Sequence, residues 1–140
     1  MFNEIKILVF LSVLVLCSCG KSASEIYEQD SIAALAMLEK ASVAYSANQY
    51  EKSMQLLDSI DSTYTAQIGV RREAMKLRPM VKEKLIIEEI QRCDSMLVEY
   101  QLKNASREEI FKINVNKMKL ERQLQVARNQ VVRLNDEITE

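Results

Sequence analysis

The chain has 140 residues, with 19 basic and 20 acidic side chains, no His, no Trp, two Gly and one Pro. Without His, one chain can form neither a His-based catalytic triad nor a His-ligated metal site. Two glycines are too few for a phosphate-binding loop or a dinucleotide fingerprint, and the scarcity of turn residues argues against a β-sandwich or barrel. The composition therefore predicts an all-α fold of long helices.

The first residues have the pattern of an export signal. Ile7 to Leu16 is apolar except for Ser12, a length that is typical of a secretory signal core and too short for a spanning helix of about 20 residues. The motif Leu16-Cys17-Ser18-Cys19-Gly20 follows and resembles the bacterial lipobox. The resemblance implies a signal peptide over residues 1–18 and a lipid-modified Cys19. An uncleaved anchor or an ordinary cleaved signal is the alternative.

The segment after the motif bears on the location of the protein. Residues 19–24 would be the lipidated Cys19 and a short linker. The acyl chains would anchor the protein permanently in the membrane, because each buried methylene contributes about 0.8 kcal/mol. The linker has neither an acidic pair that resembles a surface-export tag nor an Asp after Cys19 that resembles an inner-membrane retention signal. The resemblance thus implies a cell-envelope protein on the periplasmic side of the outer membrane, and the inner membrane stays open.

Cys93 is the one cysteine left when the signal is removed and Cys19 is acylated. It lies on an apolar helical stripe, so we expect it to be a small buried side chain. An intermolecular disulfide is the alternative. A catalytic thiol is not expected, because the chain has no His to activate it.

Residues 25–64 are predicted to form a helical hairpin. Apolar spacing predicts one helix from Glu25 to Ala47 and a second from Gln49 to Ile60, separated by a break at Asn48. We interpret Asp61-Ser62-Thr63 as a turn, since these side chains hydrogen-bond to local backbone and compete with helix.

Part of this hairpin aligns without gaps to one tetratricopeptide-like helix–turn–helix unit, at Ala41, Ala44, Tyr45, Asn48, Tyr50, Ser53, Leu57 and Ile60. The resemblance implies that small Ala41 and Ser53 let the two helices approach closely, with Asn48 in the turn place that Gly usually holds. A single unit cannot bury its own faces, and no second copy follows. An ordinary amphipathic hairpin is the alternative.

The apolar spacing of residues 65–103 predicts a long helix. Its apolar positions recur at helical spacing, at Val70, Ala74, Leu77, Val81, Ile86, Ile90, Cys93, Leu97 and Tyr100. Pro79 interrupts this pattern, and a Pro inside a helix costs about 3 kcal/mol. We therefore expect a kink or a break at Arg78, with the second part ending near Gln101.

Residues 106–140 carry the clearest pattern in the chain. Ser106 and Glu109 have the spacing of a capping box, which predicts a helix start. Seam positions then alternate at spacings of three and four, at Ile110, Ile113, Lys117, Leu120, Leu124, Ala127, Val131, Leu134 and Ile138. All except Lys117 are apolar, which predicts a coiled-coil helix.

The sequence leaves open what this seam faces. Arg107 to Thr139 would be about 50 Å long at about 1.5 Å per residue, so we expect part of the helix to project or to pair. Phe111, Val115 and Met118 widen the apolar face near its start, which predicts that this half packs on the body and the later half faces a partner. A second copy, another protein, or antiparallel pairing with the preceding helix are all compatible with the seam.

The balanced net charge hides two oppositely charged segments. Residues 19–69 carry a net charge of −4 and residues 70–135 carry +6. The last helix offers candidate anion-binding residues at Lys112, Lys119, Arg122, Arg128 and Arg133. They predict either a surface for anionic lipid or glycan or pairing with the acidic hairpin. Nucleic acid is not expected, since the helix lacks the interleaved aromatic residues of single-strand binders.

The chain offers little for chemistry, and we expect no catalytic site, metal, cofactor or small-molecule substrate. Carboxylate pairs such as Glu88-Glu89 are adjacent on a helix and point in different directions. The leading hypothesis is a non-enzymatic, lipid-anchored envelope scaffold that binds a protein partner or a second copy through its coiled coil. The alternative is a periplasmic module for anionic lipid or glycan. The architecture resembles small lipoproteins of Bacteroides-like bacteria that combine a repeat-like hairpin with long helices.

Overall fold

Four α-helices and no strand make up residues 22–139, the part of the chain that this computed structural model describes. The helices are α1 (Ala23–Ser46), α2 (Tyr50–Thr63), α3 (Ile68–Leu102) and α4 (Arg107–Thr139). The fold is therefore all-α, as the composition predicts. None of these described helices is long and apolar enough to span a membrane. The predicted signal peptide and Cys19 lie outside the described residues.

The chain divides into two compact units, Met1–Asp30 and Ser31–Glu140. In the first unit, residues 22–30 are described, and they contain the start of α1. A capping box begins this helix: the Ser22 N–H donates to Glu25 Oε2 at 3.0 Å, and the Glu25 N–H donates to Ser22 Oγ at 3.3 Å. These bonds satisfy two backbone donors that a helix start otherwise leaves unpaired, so α1 starts before Glu25.

In the second unit, α1 ends in a tight turn at Asn48. Its φ of 59° is left-handed, a conformation that Asn tolerates better than most residues. The Tyr50 hydroxyl donates to Asn48 Oδ1 at 2.6 Å, and the Tyr45 and Tyr50 rings lie 5.7 Å apart. The turn thus directs α2 back along α1.

The core of this unit lies where α1, α2 and the first part of α3 meet. Its buried side chains are Ala34, Ala41, Leu57, Ile60, Val70, Ala74 and Val81. Small residues let α1 and α2 approach closely enough for Ser53 Oγ to donate to the Ala41 carbonyl at 2.8 Å. Ser53 is fully buried, so this bond removes the cost of an unpaired hydroxyl.

The second predicted turn is displaced along the chain. We expected Asp61-Ser62-Thr63 to be a turn, but α2 continues through Thr63. The Asp61 carboxylate is used by Arg71 and Arg78 of α3 instead of by the local backbone. The chain turns only after Tyr64, whose N–H donates to the Ile60 carbonyl at 3.0 Å.

Helix α3 continues through Pro79, so of the kink or break that we expected at Arg78 the break is absent. Proline removes one backbone N–H, the donor to the Met75 carbonyl. The Arg78 guanidinium forms ion pairs with Asp58 and Asp61 of α2, which hold this turn of α3 in place.

Helix α4 returns antiparallel along α3 after a short loop. The predicted capping box is present at its start: the Ser106 N–H donates to Glu109 Oε2 at 3.0 Å, and the Glu109 N–H donates to Ser106 Oγ at 3.3 Å. Arg128 pairs with Glu83 of α3 at 3.0 Å. Lys117 pairs with Asp94, farther toward the loop, and the two bridges fix one antiparallel register.

Candidate protein-interaction surface

The predicted seam of α4 packs on α3 of the same chain. Ala127 is fully buried, and the other seam side chains that the structure describes are half-buried, namely Ile110, Ile113, Lys117, Leu120, Leu124, Val131 and Leu134. The side chain of Ile138 lies outside the described part. Of the three partners that the sequence left open for the seam, the structure shows the antiparallel helix of the same chain, α3.

One charged residue interrupts this seam. Lys117 Nζ donates to the Asp94 carboxylate of α3. This hydrogen bond, followed by the nearby negative charges, raises the pKa of Lys117 above its ordinary value of 10.5. The ammonium group therefore stays charged at neutral pH and is paired across the two helices.

The expectation about which half of α4 packs on the body is wrong. Phe111 is 66% exposed and Met118 is 55% exposed, although both were expected to be covered, and only Val115 of the three is half-buried. Near the other end, Val131 and Leu134 line a cleft together with Leu38 of α1. The physical reason is the antiparallel direction of α4, which returns its later turns to the body.

The five candidate anion-binding residues do not form one site. Lys112 pairs with Glu108 at 2.7 Å, and Arg128 pairs with Glu83 of α3 at 3.0 Å. Within residues 22–139, no ion pair is found for the other members, Lys119, Arg122 and Arg133. Arg133 lies about 16 Å along α4 from Arg122, so the free cations are dispersed.

Cys93 is buried between α3 and α4, which confirms the prediction for this side chain. It is 5% exposed, and the Asn116 amide of α4 donates to its sulfur at 3.7 Å. A disulfide to another chain would require the two helices to separate. In the described part of the chain, no group of three or more His, Cys, Asp or Glu side chains could hold a metal ion.

Helix α1 is apolar on both of its faces. Its inner face is buried through Ala34, Ala41 and Ala44. Its outer face exposes three large apolar side chains, since Ile32 is 64%, Leu35 is 53% and Val43 is 62% exposed. A helix that is apolar all round is normally buried on all sides, so the outer face of α1 has the character of an interface.

Clefts lie on several sides of this helix. One of about 630 Å³ is lined by Ile32, Leu35 and Leu38 of α1. It shares Leu38 and Ser42 with a smaller one of about 300 Å³, whose lining includes Leu134 of α4. The two clefts are therefore adjacent, and the apolar surface extends from the outer face of α1 toward α4.

Sequence reasoning did not identify this surface, because the apolar spacing of residues 25–47 was used only to predict a helix. The missed signal was charge: residues 31–47 contain only Glu39 and Lys40 as charged residues. A helix that buries one face needs about three to four apolar residues in every two turns, and residues 31–47 contain more than that. The excess of apolar residues predicts a second covered face.

Comparison with known proteins gives no relative from which a site could be transferred: no family model, curated protein or solved structure matches the chain.

Proposed function

We propose that the protein is a lipid-anchored scaffold of the bacterial cell envelope that binds a protein helix through the outer face of α1. The exposure of Ile32, Leu35 and Val43, on a helix whose opposite face is packed, carries this proposal. Covering the exposed part of each side chain contributes on the order of 1 kcal/mol. The surface thus favours a modest, specific contact with another apolar helix.

The charge of this surface favours a protein over a lipid headgroup layer. Interfacial helices combine their apolar face with many Lys and Arg residues on the polar side. Residues 31–47 contain one acidic and one basic residue, Glu39 and Lys40. Anionic lipid would therefore gain little by contacting α1, whereas a helix with its own apolar stripe would gain buried area.

The anchor expected at Cys19 would attach the chain that carries this surface to a membrane. A protein that is attached to the same membrane would meet α1 at a high effective concentration. The scaffold role follows from this combination of a fixed anchor and an exposed apolar helix.

The test is crosslinking and capture from native envelopes with the full chain and two matched variants. Val43→Glu places a charge on the outer face of α1, and Val126→Glu places the same charge on α4, where the side chain is similarly exposed, 62% against 57%. We expect Val43→Glu to reduce the captured protein at least about tenfold and Val126→Glu to leave it unchanged. Equal capture by both variants, with unchanged helicity, would overturn the proposal.

A second candidate, binding of anionic lipid or glycan, has one observation in its favour. Lys82 of α3 and Arg133 of α4 flank a cleft of about 490 Å³ with an apolar lining that includes Met75, Pro79 and Leu134. A cationic rim over an apolar floor suits an anionic amphiphile. Arg133→Gln should then weaken binding to vesicles that contain anionic lipid, and unchanged binding at low salt would remove this candidate.

A further inference from the structure

Building on the proposed function, we infer that the protein bound by the outer face of α1 is a second copy of this chain. The two α1 helices would lie antiparallel about a two-fold axis that passes close to Glu39 and Lys40. The partner is thus another helix with the same stripe, and each copy covers the other.

The two charges of the outer face carry the first part of this inference. Glu39 and Lys40 are exposed, and neither forms an ion pair with another residue of the described chain. In a two-fold interface, contacts occur in reciprocal pairs. An axis between these residues places Glu39 of each copy opposite Lys40 of the other. The dimer would therefore contain two equivalent Glu39–Lys40 ion pairs.

The same axis matches large side chains with small ones. With Glu39 opposite Lys40, Val43 of one helix lies opposite Ala36 of the other, and Ile32 lies opposite Ala47. Ala36 and Ala47 are exposed, and the Ala47 N–H still donates to the Val43 carbonyl at 2.9 Å. Large residues opposite small ones let two helices approach closely and interdigitate, so the register satisfies the charges and the packing of Ile32 and Val43, while Leu35 lies at the edge of the contact, opposite the buried Ala44.

The outer face of α4 does not offer the same match. Its exposed apolar side chains, such as Phe111, Met118 and Val126, are interspersed with Lys119 and Arg122. A second copy on that face would bring these basic side chains close to those of the first copy, and their repulsion opposes association. The outer face of α1 is therefore the self-complementary surface of the two.

The size of this contact predicts a weak dimer. A stable interface buries about 800 Å² on each partner, and one pair of short helix faces buries less than that. We therefore expect dissociation in dilute solution and stronger association when both copies are anchored to one membrane, where the effective concentration is high.

The test is sedimentation equilibrium of the purified full chain in density-matched detergent, with charge reversals. We expect a monomer–dimer equilibrium that Glu39→Lys or Lys40→Glu weakens about tenfold. The double variant, Glu39→Lys with Lys40→Glu, restores opposite pairs and should return the dissociation constant to within about threefold of the original. Arg122→Glu on α4 serves as a control reversal and should leave the equilibrium unchanged.

The inference is overturned if the unmodified chain remains monomeric up to millimolar concentration, or if the double variant dimerises no more tightly than the single variants. If the chain is monomeric and Val43→Glu still abolishes capture of a different envelope protein, the proposed scaffold function stands and only the second copy falls. A dimer that is insensitive to Glu39→Lys and to Val43→Glu would also overturn the inference, because it would form through another surface.

Discussion

Helices α1 and α4 both carry more apolar residues than one buried face needs, and the structure uses them in opposite ways. The heptad seam of α4 lies against α3, with Ala127 fully buried. Helix α1 packs its small residues against the core and leaves Ile32, Leu35 and Val43 exposed. The regular heptad pattern thus marks packing within the chain, while apolar residues outside such a seam, on α1 and also at Phe111, Met118 and Val126 of α4, stay exposed.

The difference follows from length and direction. Helix α3 has 35 residues and α4 has 33, so an antiparallel neighbour of matching length is available for the whole seam. Helices α2 and α3 contact α1 on one side only, where Ala34 and Ala41 are buried. A strong sequence pattern therefore indicates that a partner exists, while the lengths of neighbouring elements decide whether the partner lies in the same chain.

The largest expected loss of stability comes from a substitution that disrupts the packing of α4. Ala127→Asp places a carboxylate where the side chain is fully buried, and we expect a loss of about 3 kcal/mol or more in the free energy of unfolding. Val126→Asp, one residue away and 57% exposed, should change it by less than about 0.5 kcal/mol. Urea denaturation followed by circular dichroism measures both, and similar values would contradict the placement of the seam.

The next effect concerns the close approach of α1 and α2. Ser53→Leu adds volume at a fully buried position whose hydroxyl bonds to the Ala41 carbonyl at 2.8 Å. We expect a loss of about 1–3 kcal/mol from overpacking. Ser95→Leu is the matched control, because Ser95 is exposed and bonds only within its own helix. Equal stability of the two variants in thermal unfolding would refute the tight α1–α2 contact.

A smaller effect is expected at the ion pairs between α2 and α3. Arg78→Ala removes contacts to Asp58 and Asp61, and we expect a loss of about 1 kcal/mol, since Asp58 remains largely exposed and solvent screens its charge. Arg128→Ala removes the single pair with Glu83 and should cost less than about 0.5 kcal/mol. Denaturation at low and high salt would show whether the Arg78 contribution is electrostatic.

The smallest effect concerns the start of α4 in acid. Hydrogen bonds from the Ser106 hydroxyl and N–H hold the pKa of Glu109 below its ordinary value of 4.5. A carboxyl with a lowered pKa in the folded state stabilises the fold above its unfolded pKa and loses this contribution as the pH falls through the folded pKa. We therefore expect the first turn of α4 to fray in acid, below pH 4.5. Amide NMR shifts report this, and Glu109→Gln should remove the pH dependence.

Local signals made much of the fold predictable. The left-handed Asn48 and the capping box of Ser106 and Glu109 depend on neighbours within a few residues, and both are present. The continuation of α3 through Pro79 was not predictable in this way. Ala74 and Val81, on either side of Pro79, pack in the core with side chains of α1 and α2 that are distant in sequence, and the Arg78 ion pairs add to this packing.

The candidate surface was harder to predict for a related reason. The sequence shows that α1 and α4 are rich in apolar residues but does not show which faces the other helices cover. The ion pair between Lys117 and Asp94 fixes the register that covers the seam of α4, and no spacing rule within one helix contains that information. The low charge of residues 31–47 was the local signal that could have pointed to α1.

Side-chain accessibility in the native envelope tests the central claim most directly. In a Cys93→Ala background, Val43→Cys and Val126→Cys each introduce one thiol at similarly exposed positions of α1 and α4, 62% and 57%. We predict that a maleimide labels both thiols in the purified, diluted chain, and labels only the residue 126 thiol in intact envelopes, because a partner covers α1. Equal labelling of both thiols in the envelope, or protection of residue 126 alone, would contradict the assignment of the interaction surface to α1.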